Sequence, residues 1–269
     1  MNYDILFNKY LDLLGVKEAP PTFTLLAELV KAHLIKIPFE NISKLLYKKQ
    51  GMNYIPSFDV YLDSIEKYNF GGTCYSNNYY FHLLLKHLGF NVKLCGADMR
   101  NPDVHIINIV TTDEKEFIVD GGYAAPFLQP LPRYLETDFI INNGNDKYIV
   151  KPQDENGRTR IEQYNDNKLQ HWYTANPAPR KIEDFRNVIE DSYADYSTFM
   201  NAVRVERFSE NGSVSLRNFV VVETAGNKTS TIKISREEMP EVINKKFGMP
   251  QNLVKEAVES IKEIKDKYD

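Results

Sequence analysis

The sequence has few cysteines, no long apolar run and no excess of basic residues, and each shortage argues against a class of protein. Two cysteines in 269 residues do not suit a disulfide-rich secreted domain and fit a reducing compartment. No apolar stretch approaches the roughly 20 residues of a membrane-spanning helix, so we expect no membrane association. The first residues lack the basic start, apolar centre and small-residue cleavage site of a secretory signal. We therefore expect a cytoplasmic protein.

The charge balance and the missing motifs narrow the function further. Lysine and arginine number 33 against 37 acidic residues, which gives a formal net charge of −4. No basic block could follow a phosphate backbone, so nucleic acid is not an expected partner. The phosphate-loop, Gly-x-Gly-x-x-Gly and Gly-x-Ser-x-Gly signatures are absent. His82 and His87 are five residues apart and do not share a helix face, so we predict no metal site.

What the chain does contain is a cysteine directly after a glycine pair and directly before a predicted helix. Gly71 and Gly72 allow a sharp turn that delivers Cys74 to the start of the helix predicted over 77–88. Unpaired N–H groups and the helix dipole favour a thiolate there. Cys74 is thus a candidate nucleophile, or else a small buried residue at a helix start. We interpret Cys95 as a buried structural thiol.

A histidine and an acid follow in an order that suits such a nucleophile. A β-branched run over 103–110 predicts a strand with His105 near its start, and 117–120 predicts the returning strand, which ends at Asp120. The two side chains then lie at the same end of a hairpin. We predict that His105 takes the thiol proton and that Asp120 fixes the imidazole tautomer. Taken singly, His105 also fits a sheet-edge histidine, and Asp120 a turn carboxylate.

Three regions of the chain differ in their predicted secondary structure. Helical spacing predicts helices over 3–14 and 24–34, with His33 as a core histidine that has a hydrogen-bond partner. Short β-rich runs over 89–174 suggest an antiparallel barrel or sandwich. The remainder predicts a loop with some helix over 175–199, strands over 203–208 and 214–223 joined through Asn211-Gly212, and a closing helix whose apolar stripe runs from Val254 to Tyr268.

These landmarks resemble the arylamine N-acetyltransferase family in their order along the chain. His33 through Asn41 looks like that family's His-x-x-x-x-Pro-Phe-Glu-Asn signature. Phe70 through Cys74 is similar to its Arg-Gly-Gly-x-Cys motif, and Ile118 through Tyr123 to its Val-Asp-Val-Gly-Phe segment. The carboxyl-terminal landmarks are echoed by Ser197-Thr198-Phe199, Leu216-Arg217-Asn218 and Phe247-Gly248-Met249.

The resemblance implies an α+β fold with a papain-like Cys-His-Asp site. It implies a helical domain at 1–90 with the nucleophile, an antiparallel β-barrel domain at 91–195 with the histidine and the aspartate, and an α/β lid at 196–269 with a carboxyl-terminal helix. Acetyl-coenzyme A, or another short acyl-coenzyme A, would acylate Cys74, and an arylamine or hydrazine would then accept the acyl group in a ping-pong cycle. The roles transferred position by position are nucleophile for Cys74, base for His105, orienting acid for Asp120, substrate pocket for Phe39 and Tyr123, and coenzyme A approach for Gly122 and Ala124.

Two positions depart from the family's pattern. Phe70 stands where the nucleophile motif has arginine, and Ser76 where a glutamate usually follows the cysteine. In the family the arginine is expected to neutralise the glutamate of the Pro-Phe-Glu-Asn segment. Glu40 therefore needs another donor or a raised pKa.

A triad does not specify its donor and acceptor, so two alternatives stay open. One is a cysteine amidase or an amide synthase that uses the same triad with a different acyl donor. The other is a binding protein that keeps the fold without the activity, against which the intact trio of Cys74, His105 and Asp120 argues.

Overall fold

The amino-terminal part of the protein is helical. The computed structural model describes residues 3–226 and 228–264. Thr22 caps the second helix by accepting a hydrogen bond from the Leu25 N–H at 3.4 Å, and that helix runs slightly beyond its predicted range at both ends. The fifth helix begins at Cys74 itself, three residues before the predicted start. The helices are α1 Tyr3–Leu14, α2 Phe23–Lys36, α3 Ile42–Lys49, α4 Phe58–Tyr68 and α5 Cys74–His87.

The central part is an eight-stranded antiparallel sheet that wraps into a nearly closed barrel. The sheet has the strand order β5-β4-β3-β2-β9-β8-β7-β6. The strand Lys168–Pro179 continues beyond the predicted β region, which ended at residue 174. A register shift between Cys95 and Ala97 on its neighbour, the strand Asn91–Asp98, lets the pairing continue to Pro179. The strands are β2 Asn91–Asp98, β3 His105–Thr112, β4 Lys115–Val119, β5 Leu131–Pro132, β6 Phe139–Asn143, β7 Asp146–Val150, β8 Thr159–Asn165 and β9 Lys168–Pro179.

A connector and a second sheet complete the fold. The connector is the segment 180–203, between the barrel and the second sheet, and it holds a 3₁₀ turn at Ile182–Phe185 and the short helix α6. The second sheet has the strand order β1-β10-β11-β12-β13, with β1 supplied by the amino-terminal part. This arrangement confirms the predicted α+β class with amino-terminal helices and an antiparallel barrel. The elements are β1 Phe39–Glu40, α6 Arg186–Asp191, β10 Arg204–Ser209, β11 Gly212–Arg217, β12 Val220–Ala225, β13 Lys228–Lys233, α7 Met239–Phe247 and α8 Gln251–Ser260.

The single strand predicted over 214–223 is wrong. The chain turns between β11 and β12 at Asn218, whose φ is +52°. Asparagine tolerates this left-handed conformation, and the Asn218 side chain accepts a hydrogen bond from the Val203 N–H at 2.9 Å. The valines that follow Asn218 concealed the turn, because their β-branched side chains predict strand whether or not the chain reverses before them.

The closing helix is also shorter than predicted. Helix α8 ends at Ser260, and Ile261 is extended, with φ −83° and ψ 118°. The Arg236 guanidinium donates to the carbonyl of Val258 at 2.6 Å and to that of Ile261, so it satisfies the carbonyls that a continuing helix would have used. Tyr268, at the end of the predicted stripe, lies outside the described residues.

The sheet that carries β10 to β13 has two unlike faces. Val205, Leu216 and Val221 are buried in one apolar cluster with residues of α3, α7 and α8. The alternate positions Arg204, Glu206, Ser215, Arg217, Val222 and Thr224 line a cavity. The period of two along each strand produces this division. Because β1 pairs with β10 through Phe39↔Glu206, the sheet also crosses the predicted domain boundaries, which remain predictions.

Within the described ranges, no helix has both the length and the hydropathy required to cross a bilayer.

Candidate active site

The turn before α5 has the geometry that its glycines predicted. Gly72 has φ +81°, and a Cβ on Gly71 would lie 2.0 Å from the Pro38 carbonyl oxygen. Thr73 is extended, with φ −98° and ψ −174°, and Cys74 is the first helical residue. The first N–H groups of a helix have no intrahelical partner. Cys74 therefore stands, largely buried, at the start of the helix beside N–H groups that have no intrahelical partner.

His105 and Asp120 meet at one end of the β3–β4 hairpin, as the sequence predicted. The His105 Nε2–H donates to Asp120 Oδ2 at 2.8 Å, and both side chains are buried. Cys74 and the His105 ring line one cavity, and Cys74 is among the groups that raise the pKa of His105. Because Nε2 is used by Asp120, the nitrogen available to Cys74 is Nδ1. The structure thus brings all three predicted triad residues together in the order acid, imidazole, thiol.

The carboxylate and the imidazole shift each other's pKa in the directions that favour an ion pair. Burial opposes the charge on His105, but the charge and hydrogen bond of Asp120, with the contribution of Cys74, raise the pKa of His105. Burial would raise the pKa of Asp120, yet the charge and hydrogen bond of His105 and further donors lower it. Both shifts favour a charged imidazolium that can balance a thiolate.

Asn78 holds the aspartate, and sequence reasoning missed this role. Its amide donates to Asp120 Oδ1 at 2.9 Å and to the carbonyl of Ile106 at 2.7 Å, and it accepts from the Gly121 N–H at 2.8 Å. Asn78 stands four residues after Cys74, so both lie on one face of α5. That spacing was the one available signal. The amide fixes the helix that carries the thiol against the strands that carry the base.

The two residues predicted to approach coenzyme A differ in their placement. Gly122 lines the cavity beside Cys74, and a Cβ on it would lie 2.6 Å from the Cys74 Cα and 2.9 Å from Asn78 Nδ2. Only glycine allows this close approach of two backbones. Ala124 is buried with φ +62° and is not among the residues that line the cavity. Contact of either residue with coenzyme A remains a prediction.

A cavity of about 450 Å³ opens at Cys74 and His105, and both predicted pocket aromatics, Phe39 and Tyr123, line it. The Tyr123 hydroxyl is hydrogen-bonded to His171 Nδ1 at 2.7 Å. Burial, together with the arginines and His105, lowers the pKa of His171 to about 4, so His171 is neutral at physiological pH. Sequence reasoning gave no indication of His171, because nothing in its local pattern places it in a cavity.

The far side of the cavity is charged. Arg204 and Arg217 face each other across β10 and β11, an unfavourable arrangement unless an anion lies between them. Glu206 supplies it, at 3.0 Å from an Arg204 nitrogen and 3.8 Å from an Arg217 nitrogen. Within the described part of the chain, the buried Nε of Arg217 has no hydrogen-bond partner. The cavity therefore combines a nucleophilic end with a polar, cationic end.

Phe70 stands where the resembled motif has arginine and offers Glu40 no hydrogen-bond donor, and other groups donate to Glu40 instead. Its carboxylate accepts from the Gly72 N–H at 2.7 Å, the Ser43 hydroxyl at 2.6 Å and the Ser43 N–H at 2.8 Å. Burial raises the pKa of Glu40, although these hydrogen bonds oppose the shift. Phe70 packs instead in the apolar cluster with Leu45 and Met200. Glu40 therefore has other hydrogen-bond donors and also a raised pKa.

His33 has the core role predicted for it. The ring is fully buried and hydrogen-bonded through Nδ1 to the Tyr10 hydroxyl at 3.0 Å, and it stacks on Phe81 at a centroid distance of 4.5 Å. Burial lowers the pKa of His33 to about 3, against the smaller opposing effects of the Gly121 backbone and the Asp120 charge. His33 is thus a neutral structural side chain.

Cys95 is the buried structural thiol that the sequence predicted. Its side chain is fully enclosed on β2, and burial raises its pKa to about 12. Cys74 and Cys95 are both free.

Comparison with known proteins identifies the family. A family model described as N-acetyltransferase matches residues 22–256. The chain belongs to this family. Proansamycin X synthase of Amycolatopsis mediterranei is 34% identical over 114 residues, which span 39% of this chain and 44% of that relative. Arylamine N-acetyltransferase 2 of Rattus norvegicus is 23% identical over 268 residues, which span 83% of this chain and 86% of the relative.

Solved structures of N-acetyltransferases share the fold. The structure of Mycobacterium marinum arylamine N-acetyltransferase in complex with CoA matches with a TM-score of 0.78 and 19% identity, covering 95% of this chain and 99% of that one. The predicted family is therefore confirmed. No three His, Cys, Asp or Glu side chains cluster as a metal site would require within residues 3–226 and 228–264.

Proposed function

We propose that this protein transfers an acetyl group from acetyl-coenzyme A, through a thioester on Cys74, to the nitrogen of an arylamine or hydrazine. The observation that carries the proposal is the His105–Asp120 hydrogen bond together with a cavity that Cys74 and His105 both line, where Cys74 contributes to the raised pKa of His105. Family membership supports it, as does the CoA bound in the Mycobacterium marinum relative.

The first half-reaction acetylates Cys74. His105 takes the Cys74 proton, and the thiolate attacks the thioester carbonyl of the donor. A carbon–sulfur bond to Cys74 forms while the bond to the sulfur of coenzyme A breaks, and the proton on His105 passes to the leaving thiolate. Asp120 steadies the imidazolium throughout, because its carboxylate accepts the Nε2–H.

The second half-reaction transfers the acetyl group from Cys74 to the acceptor. The acceptor nitrogen attacks the Cys74 thioester, an amide bond forms, and the carbon–sulfur bond breaks. The proton lost by the amine returns through His105 to the Cys74 sulfur. Phe39 and Tyr123 line the cavity and offer flat apolar faces on which an aromatic acceptor can stack.

Trapping the acetyl enzyme tests this proposal. Incubation with acetyl-coenzyme A, followed by intact-mass measurement and peptide mapping, is expected to show one acetyl group on Cys74. Cys74→Ala should abolish both the adduct and the transfer while circular dichroism stays unchanged. Cys95→Ala is the matched control and should still form the adduct. An adduct absent from the wild-type protein, or present on another residue, would contradict the proposal.

A second candidate is transfer from a different acyl donor by the same triad, as in an amide synthase. The name of one relative, Proansamycin X synthase, describes a synthase rather than an acetyltransferase and so favours this candidate. Acetyl-coenzyme A and the acetyl thioester of N-acetylcysteamine, which lacks the nucleotide, separate the two. A large advantage for acetyl-coenzyme A in the rate of Cys74 acetylation supports the first candidate, and equal rates support the second.

A further inference from the structure

Lys44 is a buried lysine whose partners carry no negative charge. Its side chain lies inside the protein on α3. The ammonium donates to the Ser192 hydroxyl at 2.5 Å and stands over the Tyr193 ring, 4.1 Å from the centroid. A buried ammonium is costly unless a charge or an aromatic face compensates it, so this placement calls for a function.

The surroundings of Lys44 point to the candidate nucleophile. Lys44 lines a small space together with Gly72, Thr73, Tyr75 and Ser76, which flank Cys74 on both sides in the chain, while Cys74 itself lines the cavity of about 450 Å³. Its ammonium is 5.9 Å from the centroid of the Tyr75 ring, on the residue next to Cys74. Ser76, where the resembled motif has glutamate, faces the same space with a neutral hydroxyl.

The thiolate and the lysine also interact through their charges. Burial lowers the pKa of Lys44 to about 8, and the negative charge on Cys74 opposes this shift. Coulombic attraction between an ammonium and a thiolate acts on both groups. Near neutral pH most Lys44 side chains still carry the charge.

We propose that Lys44 is a positioning residue that stabilises the Cys74 thiolate electrostatically and ties the connector, through Ser192 and Tyr193, to the nucleophile's helix. The proposal rests on the proposed function, in which Cys74 is the nucleophile. The charged or titratable groups that interact with the charge of Cys74 are Lys44 from α3, His105 from β3, which pairs with Asp120, and Tyr75 from α5. Lys44 thus supplies a second cation in addition to the imidazolium of His105.

The pH dependence of Cys74 alkylation tests the proposal without using any acetyl donor. Iodoacetamide rates at Cys74 are measured by peptide mapping across pH in the full-length protein. Lys44→Met should move the midpoint of the profile up by about one pH unit, so that alkylation at pH values below the midpoint is roughly tenfold slower. Lys44→Gln, which can still bond to Ser192, should behave in the same way, and Lys44→Arg should restore the wild-type profile.

Two controls separate charge from architecture. Ser192→Ala removes the hydrogen bond but keeps the ammonium, so its profile should stay in place. Lys48→Met alters the next turn of α3, where Lys48 pairs with exposed Asp195 of the same connector, and should likewise leave the midpoint unchanged.

Unshifted midpoints in Lys44→Met and Lys44→Gln would overturn the proposal, and so would equal slowing in Lys44→Met and Ser192→Ala without a shift. If Lys44→Met fails to fold, the Lys44→Gln profile decides. Failure of the proposed function is distinguishable, because the midpoint would then still shift while acetyl-coenzyme A left no adduct on Cys74.

Discussion

Two buried histidines in this protein, His33 and His105, take opposite charge states. Both rings are almost fully enclosed, and both feel the charge of Asp120. His33 meets a tyrosine hydroxyl and stays neutral, with its pKa lowered by burial to about 3. His105 contacts the carboxylate directly at 2.8 Å, and its pKa is raised. Burial alone therefore does not decide the fate of an imidazole; a hydrogen-bonded carboxylate does.

Asp120→Asn should give the largest effect, because it makes the surroundings of His105 like those of His33. Without the carboxylate, the imidazolium loses its counter-charge and the ring can adopt the wrong tautomer. Turnover is expected to fall by about 10³- to 10⁴-fold, the scale of acid-to-amide changes in triads. Single-turnover acetylation of Cys74 measures it. Asp103→Asn, which alters a partly exposed aspartate paired with Arg180, is the matched control and should keep its activity; near-normal turnover in Asp120→Asn would refute the role of Asp120.

Alanine substitutions at the adjacent residues Gly121 and Gly122 should give the next largest effects. Each substitution affects one of the two histidine regions, because Gly122 lies against Cys74 and Gly121 against His33. A Cβ on Gly122 would lie 2.6 Å from the Cys74 Cα, whereas one on Gly121 would lie 2.6 Å from His33 Nε2. Gly122→Ala should displace the nucleophile and lower turnover by about 10²-fold. Gly121→Ala should instead disturb the His33 core and lower the free energy of unfolding by about 1–3 kcal/mol.

Denaturant unfolding and single-turnover acetylation, made on both glycine variants, check this division. A Gly121→Ala protein with normal stability but lost activity would contradict the assignment of His33 to the core.

The smallest effect is a difference in how stability depends on pH. The folded pKa of His33 is lowered below its ordinary value of 6.5, so the unfolded chain binds the proton first, and stability is lost as pH falls below 6.5. We expect His33→Gln to lose about 1 kcal/mol less than the wild-type protein between pH 7 and pH 5.5.

His105 should show the opposite sign. Its folded pKa is raised, so its contribution to stability is complete below pH 6.5 and is lost as pH rises through the folded pKa. The free energy of unfolding across pH, measured for the wild-type protein, His33→Gln and Asp120→Asn, checks both signs. Parallel curves for wild type and His33→Gln would show that His33 does not titrate in this way.

Sequence reasoning found the features that local pattern encodes. The glycine pair and the helix start located Cys74, and the hairpin placed His105 against Asp120, because short-range turns and strand pairing fix those positions. Asn78 offered only its four-residue spacing from Cys74, and its partner Asp120 is distant in the sequence. His171 contacts Tyr123 from a distant segment, and no local pattern encodes such a contact. The turn at Asn218 was missed for a different reason: β-branched neighbours predict strand on either side of a reversal.

The two unlike faces of the β10–β13 sheet bear on how this protein can diverge. Ser213, Ser215 and Thr224 line the cavity, while Val205, Leu216 and Val221 on the alternate positions form the apolar cluster. Substitutions at the partly buried Ser213 and Thr224 should reshape the cavity at a smaller cost in folding than substitutions in the apolar cluster. One face of this sheet can therefore change the shape and polarity of the cavity while the other face keeps the apolar cluster intact.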